Sequence, residues 1–234
     1  MDVVMFLTCR AGRLAGDALV RRLAASASAI PGLREALLHE PASASDPCLE
    51  TEAPPTLVAE LHFDNLLALE AAATARGALA RWLDPRVDPW LGQADISHQA
   101  MMSRRYAAAP GGCTYLVAYH GHAQDHDAWL GHYLDRHVPL MLRLPGLRAL
   151  EVCTRLDWRG GLRWPREDAV QRNKVVFDDA FALDAALRSD VRMEMRRDFE
   201  ASPIFHGGNV HYPMTTRSAP MHASSASLSA TERP

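Results

Sequence analysis

The chain has 234 residues, 48% apolar and 23% charged, with a net charge of −3. That is the composition of a folded globular protein, and the length suits one large domain or two of about 110 residues each. Arg and Lys are interspersed with Asp and Glu, so no basic stripe marks a nucleic-acid or anionic-membrane surface, and no apolar run reaches the roughly 18–20 residues of a membrane span.

The N-terminus, MDVVMFLTCRAGR, places Asp2 first and only about six apolar residues before Arg10, unlike a secretory leader, so a cytoplasmic protein is expected. Val3 to Leu7 reads as a buried strand. Leu14, Ala18, Leu19, Leu23 and Ala27 recur at helical spacing, so a helix is predicted from Leu14 to Ile30. Pro31-Gly32 ends it, and Leu33 to His39 forms a second strand. Glu40 to Pro55, rich in Pro, Ala, Ser and Asp, reads as a loop, and Thr56 to Phe63 as a third strand. Asp64 or Asn65 caps a helix over LLALEAAATARGALARWL, which Asp84 to Pro89 breaks before a fourth strand at Ile96 to Tyr106. The order is βαββαβ, a ferredoxin-like unit.

After Pro110-Gly111-Gly112 the same order returns. Strands are predicted at Thr114 to His120, Leu147 to Arg155, Lys174 to Phe177 and Gly208 to Tyr212, with helices at Asp125 to Leu144 and Phe181 to Phe199. At one offset of 114, Pro31-Gly32-Leu33-Arg34 matches Pro145-Gly146-Leu147-Arg148, Phe63-Asp64 matches Phe177-Asp178, and Ala68-Leu69 matches Ala182-Leu183. A tandem duplication follows, with a first repeat at 1–108, a second at 109–213, and a disordered Ser/Ala/Thr-rich tail at 214–234. One unit covers only one face of its sheet with helices; the other face stays apolar and needs a partner. The fold class is therefore α+β, with two ferredoxin-like repeats packed sheet to sheet within one chain, closed as a barrel.

The chemistry concentrates between Asp125 and Val152. Trp129, Tyr133, His137, Met141 and Leu144 share one broad helix face, while His132 lies on a neighbouring one. His132 and His137 are five apart and diverge by roughly 140° on a straight helix, a poor pair for one metal. Pro139 removes a hydrogen bond and clashes with the carbonyl of Asp135, at about 3 kcal/mol if uncompensated, so a kink with free carbonyls near Asp135 is expected. His137 at that kink either caps backbone groups or faces a cavity as acid, base or donor.

The string W-x-x-x-Y-x-x-x-H-x-P-L-x-x-x-L-P-G, here Trp129, Tyr133, His137, Pro139, Leu140, Leu144, Pro145 and Gly146, resembles the EthD-like family of the dimeric α+β barrel superfamily. At the matching positions the first half has Ala15, Leu19, Leu23 and Ala25, so only the second half carries the signature. The resemblance implies a small apolar cavity between sheet and helices with a histidine inside it. It also implies a connection to the breakdown of ethers and aromatic compounds, and a barrel that most relatives complete as homodimers. A monomeric pseudo-dimer or a homodimer is therefore expected here. Superfamily relatives range from lactone isomerases, polyketide cyclases and cofactor-free monooxygenases to haem-binding enzymes, so the fold alone assigns no reaction.

His137 and His132 are accordingly the candidate catalytic residues. Trp129, Tyr133, Tyr119 and His211 are the candidate binding residues for a small apolar molecule, with no cofactor and no metal required. A non-catalytic binding protein and a haem-binding relative are the alternatives. His120 and His122 alternate on a strand, and a metal held by them with a distant carboxylate is a lesser candidate. The four cysteines, Cys9, Cys48, Cys113 and Cys153, form no CxxC pair and read as small buried hydrophobes. Trp158 and Trp164 read as anchors of a surface loop or as a lid.

Overall fold

The computed structural model describes residues 2–44 and 53–221. The first half runs β1 (Asp2–Arg10), α1 (Asp17–Ala27), β2 (Leu33–Pro41), β3 (Leu57–Phe63), α2 (Leu66–Ala72), α3 (Ala78–Trp82), α4 (Pro89–Gln93) and β4 (Asp95–Ala108). The second half runs β5 (Cys113–Ala123), α5 (His126–His132), a π-helical turn (Tyr133–His137), α6 (Val138–Met141), β6 (Ala149–Arg155), β7 (Ala169–Phe177), α7 (Ala180–Leu187), α8 (Asp190–Glu200) and β8 (Phe205–Ser218).

Each half pairs its strands in the ferredoxin-like order, β4-β1-β3-β2 and β8-β5-β7-β6. The edges then join, β2 to β8 and β6 to β4, and all eight strands close into one antiparallel barrel. Closure removes every open sheet edge. The turn shared by the two halves is also shared in conformation: Gly32 and Gly146 have φ of +72° and +75°, the left-handed region that glycine enters without steric cost.

Period-two alternation sends the strand side chains to two different places. Val3, Met5, Leu7 and Cys9 point outward beneath α1 to α4, and Tyr115, Val117 and Tyr119 point outward beneath α5 to α8. Val4, Phe6, Val58, Leu116, Tyr212 and Met214 point into the barrel. The inner face is not wholly apolar as the sequence suggested. Glu60, His62, Glu151 and Lys174 are buried there as well.

Several boundaries differ from the sequence reading. The long helix expected in the first half ends at Ala72 and resumes at Ala78, and in the turn between them Gly77 lies against the carbonyl of Ala72 with no room for a side chain. Its counterpart from Phe181 to Phe199 breaks at Ser189, whose hydroxyl donates to Ala186 O at 2.6 Å. Strand β8 continues past Pro213 to Ser218, pairing with β2, and Ala219 is buried on the first core, so the second unit extends beyond 213. Residues 222–234 of the expected tail and Cys48 lie outside the described residues; Cys9, Cys113 and Cys153 are buried free thiols. None of the described helices is long and apolar enough to cross a membrane.

Candidate active site

Asp125 starts the central helix by accepting a hydrogen bond from Ala128 N at 3.0 Å, and Asp127 adds charge to the first turn, where the helix dipole favours it. The helix accommodates Pro139 through a wider turn. The backbone stays right-handed helical at His132, Tyr133, His137 and Val138, and one turn widens instead, with Val138 N–H bonded to Tyr133 O. That i→i+5 bond shifts the register by one residue just ahead of Pro139, moving the carbonyl with which the proline ring would collide. Pro139 then sits in the first turn of α6, where its missing N–H costs little.

The wide turn overturns the divergence expected of His132 and His137. Both face one carboxylate, Asp198 on α8. His137 Nδ1 is hydrogen-bonded to Oδ2 at 2.8 Å. His132 Nε2 lies 3.1 Å from Oδ1, an ion-pair distance without hydrogen-bond alignment. A carboxylate only accepts, so the proton of this bond sits on Nδ1 of His137. Burial lowers the pKa of His137, and Asp198 opposes the shift without cancelling it. The ring is therefore neutral at pH 7.

Between the β5–β7–β8 face and helices α5 to α8 lies a cavity of about 240 Å³. His137, Tyr133, Tyr119 and His211, all singled out from the sequence, line it. Val117, Val175, Phe177, Leu183 and Met195 supply apolar walls. Tyr119 and Tyr133 share a hydrogen bond, and Asn173 Nδ2 donates to Tyr133 Oη at 2.5 Å. Burial pushes Tyr119 up to about 12 and Tyr133 well above its ordinary value, so both phenols stay protonated. His211 Nε2 lies 3.0 Å from Asn209 Oδ1, and its ring tilts against Tyr115 at 5.2 Å.

Two of the sequence candidates stand back from the cavity. Trp129 is 1% exposed, stacked on Phe205 at 5.0 Å and edge-on to Tyr119 at 5.7 Å. It packs against both tyrosines and is not among the residues that line the cavity. His132 reaches the site only through Asp198. Sequence reasoning missed Asp198, Asn173, Arg192 and Arg196. The α8 residues sit in a charged stretch, RMEMRRD, that has no local signature apart from Met195 marking the inward face.

The loop bearing Trp158 and Trp164 packs on the first-half core, with Arg166 4.1 Å above the Trp158 ring and Gly161 N bonded to Ala73 O. It anchors there and does not cover the His137 cavity. His120 and His122 do not converge on a carboxylate with metal-ligand spacing. Among the described residues, the cluster that does is Glu60, His62 and Glu151 inside the barrel. Lys174 already lies between those acids, paired with Glu60 and 2.9 Å from Glu151 Oε2. Burial would raise the pKa of Glu60, but Lys174 and hydrogen bonds from His39 and His62 hold it well below the usual range. The cluster thus carries its own cation.

Comparison with solved structures places this fold among the dimeric α+β barrels. An anthrone oxidase-like protein superposes with a TM-score of 0.60 at 13% identity over 96% of each chain. A monooxygenase candidate from Lactobacillus acidophilus NCFM gives 0.55 at 12% identity, covering 93% of this chain and 95% of its own. An ethd family protein from Bacillus halodurans C-125 is 21% identical but covers 42% of this chain and 95% of its own, at a TM-score of 0.34 that carries no weight. No family model and no curated protein matches the chain.

Proposed function

We propose that the second-half cavity binds a small, largely apolar ring compound and that His137 moves a proton on it, as in an EthD-like, cofactor-independent enzyme. The observation that carries this reading is a neutral histidine, anchored by Asp198 through Nδ1, on the wall of an otherwise aromatic and aliphatic cavity. Anchoring Nδ1 leaves Nε2 for the ligand. A proton taken from the ligand by Nε2 leaves the ligand as its anion and makes an imidazolium that Asp198 stabilises, and returning that proton to a different atom of the same ligand completes an isomerisation. His132 adds a second contact to Asp198 and so positions the acceptor rather than reacting. Tyr133 and Tyr119 stay protonated, and since the bond between them uses one of their two protons, the pair offers a ligand oxygen a single O–H, the one that otherwise makes the long contact from Tyr133 to Met141 Sδ.

Haem is the poorer occupant. A histidine with its far nitrogen on a carboxylate suits an axial ligand. However, about 240 Å³ is below the roughly 300–1,000 Å³ of cavities that hold drug-sized molecules, and haem is larger than most of these.

Mass spectrometry of the native protein for a co-purified ligand, followed by turnover assays with His137→Ala, tests the proposal. A loss of about 10²–10⁴ in kcat is expected. Full turnover by the variant would end the catalytic assignment, and retention of ligand with no turnover by the wild type would leave a binding protein.

A further inference from the structure

The outer end of the β5–β8 ladder carries two histidines that the His137 cavity does not use. Ala123 pairs with Phe205, His122 with His206, and Gly121 with Gly207. Ala123 and Phe205 pack on the second-half core, where Phe205 stacks on Trp129. Side chains alternate along a strand, so His122 and His206 leave on the opposite face, and both are exposed. Neither lines the His137 cavity.

Their rings lie side by side, with centroids 5.1 Å apart and planes inclined by 37°. Two imidazoles on one tetrahedral ion, each bound through nitrogen at about 2.0–2.1 Å, hold their ring centroids about 5 Å apart as well. The torsion that turns an imidazole about its Cβ–Cγ bond is broad, so one nitrogen of each ring can be turned to a shared ion without moving the backbone. Among the described residues neither ring is hydrogen-bonded or paired with a carboxylate, so binding an ion breaks no such contact.

The next rung fixes the spacing of the two strands. Gly121 and Gly207 have φ of +132° and +148°. A Cβ on Gly121 would meet His206 O at 2.1 Å, and one on Gly207 would meet His120 O at 2.0 Å. Only glycine permits that approach. The histidines therefore stand on paired strands drawn close together rather than on a loose loop, and little ordering is left to be done when an ion binds.

We infer that His122 and His206 form a binding site for one borderline divalent ion of the zinc, nickel or copper class, which bridges β5 and β8. Imidazole nitrogen suits these ions, whereas magnesium and calcium favour oxygen ligands. The exposed position leaves the remaining coordination places to water. His122 thus finds its partner across the ladder in His206, and not along its own strand in His120.

Titration calorimetry of the untagged full chain with ZnCl2, beside MgCl2 as the control, tests this. Saturable binding of one zinc ion per chain, with none of magnesium, is expected. His122→Ala and His206→Ala should each weaken zinc by at least about 10–100-fold, the loss that even an outer-shell partner of a metal ligand costs. Both side chains are exposed, so without metal each variant should melt within a few degrees of wild type. Zinc should raise the melting temperature of the wild type and leave that of either variant unchanged. Zinc affinity that survives either substitution places the ion elsewhere and overturns the inference, as does a failure of the wild type to bind zinc. Half an ion per chain, with sedimentation as a dimer, overturns it too, because the ion then links two molecules rather than two strands of one.

Discussion

His132 and His137 stand five residues apart on one helix and meet the two oxygens of a single carboxylate, at 3.1 Å and 2.8 Å from Asp198. A regular α-helix would point them roughly 140° apart. The widened turn between them brings both to α8, and Pro139 is the residue that accounts for the widening.

Replacing that proline should therefore undo the arrangement. In Pro139→Ala the clash at Asp135 O disappears and an N–H returns, so an uninterrupted α-helix becomes the lower-energy register. A crystal structure of the variant should show the restored backbone N–H at position 139 bonded to Asp135 O and His132 rotated away from Asp198. Stability should rise, by less than the ~3 kcal/mol of an unaccommodated proline. A persistent wide turn would mean that the two His–Asp contacts, rather than the proline, set the register.

The His137–Asp198 pair makes a prediction in pH. Burial depresses the pKa of His137, so the folded state binds a proton less readily than the unfolded chain. The pair's contribution to stability is then present above the unfolded value of about 6.5 and is lost as pH falls through the depressed folded value. NMR titration should place the midpoint of His137 below 6.5. Asp198→Asn removes a group that raises it and should move the midpoint lower still. A wild-type midpoint at or above 6.5 would show that the carboxylate, and not burial, dominates.

The strands and the PGLR turns could be read from sequence because each reflects a local rule. Alternating or continuous apolar runs and a Pro-Gly pair at helix ends survive in any tertiary setting. The barrel interior could not be read that way. Glu60 and His62 alternate with Leu61 and Phe63 along β3, a pattern that normally marks a solvent-facing edge. Only closure by the second half converts that face into an interior. His137, Tyr133 and Tyr119 were visible as a histidine and aromatics at helical or strand spacing. Asp198 and Arg192 were not, because nothing within α8 distinguishes them from the neighbouring surface charges.

Trp129 offers a test of its reassigned place. A fully buried indole stacked on Phe205 should cost about 3–5 kcal/mol when truncated to alanine, measured as a lowered urea midpoint. Trp129→Phe should recover most of that stability. Ligand affinity per folded molecule should change little in Trp129→Phe. A large affinity loss there with normal stability would place the indole in the cavity after all.

The ion cluster inside the barrel predicts the opposite balance between a single and a multiple substitution. Lys174 neutralises Glu60 and Glu151, which are 0% and 2% exposed. Lys174→Met leaves two buried carboxylates without their counter-charge and should destabilise the protein by about 3–5 kcal/mol. Glu60→Gln/Glu151→Gln/Lys174→Met removes the charges together and should regain much of the loss, since a neutral set no longer carries an uncompensated desolvation cost. The acid limb gives the same contrast. Glu60 is held well below the ordinary carboxylate value, so its contribution is present above about pH 4.3 and is lost as pH falls through the depressed folded value. Without Lys174, only the bonds from His39 and His62 still oppose burial, the folded value rises, and unfolding should begin at a higher pH than in the wild type. Equal stability of the single and triple variants at pH 7 would mean that water reaches the cluster through the barrel mouth and screens it.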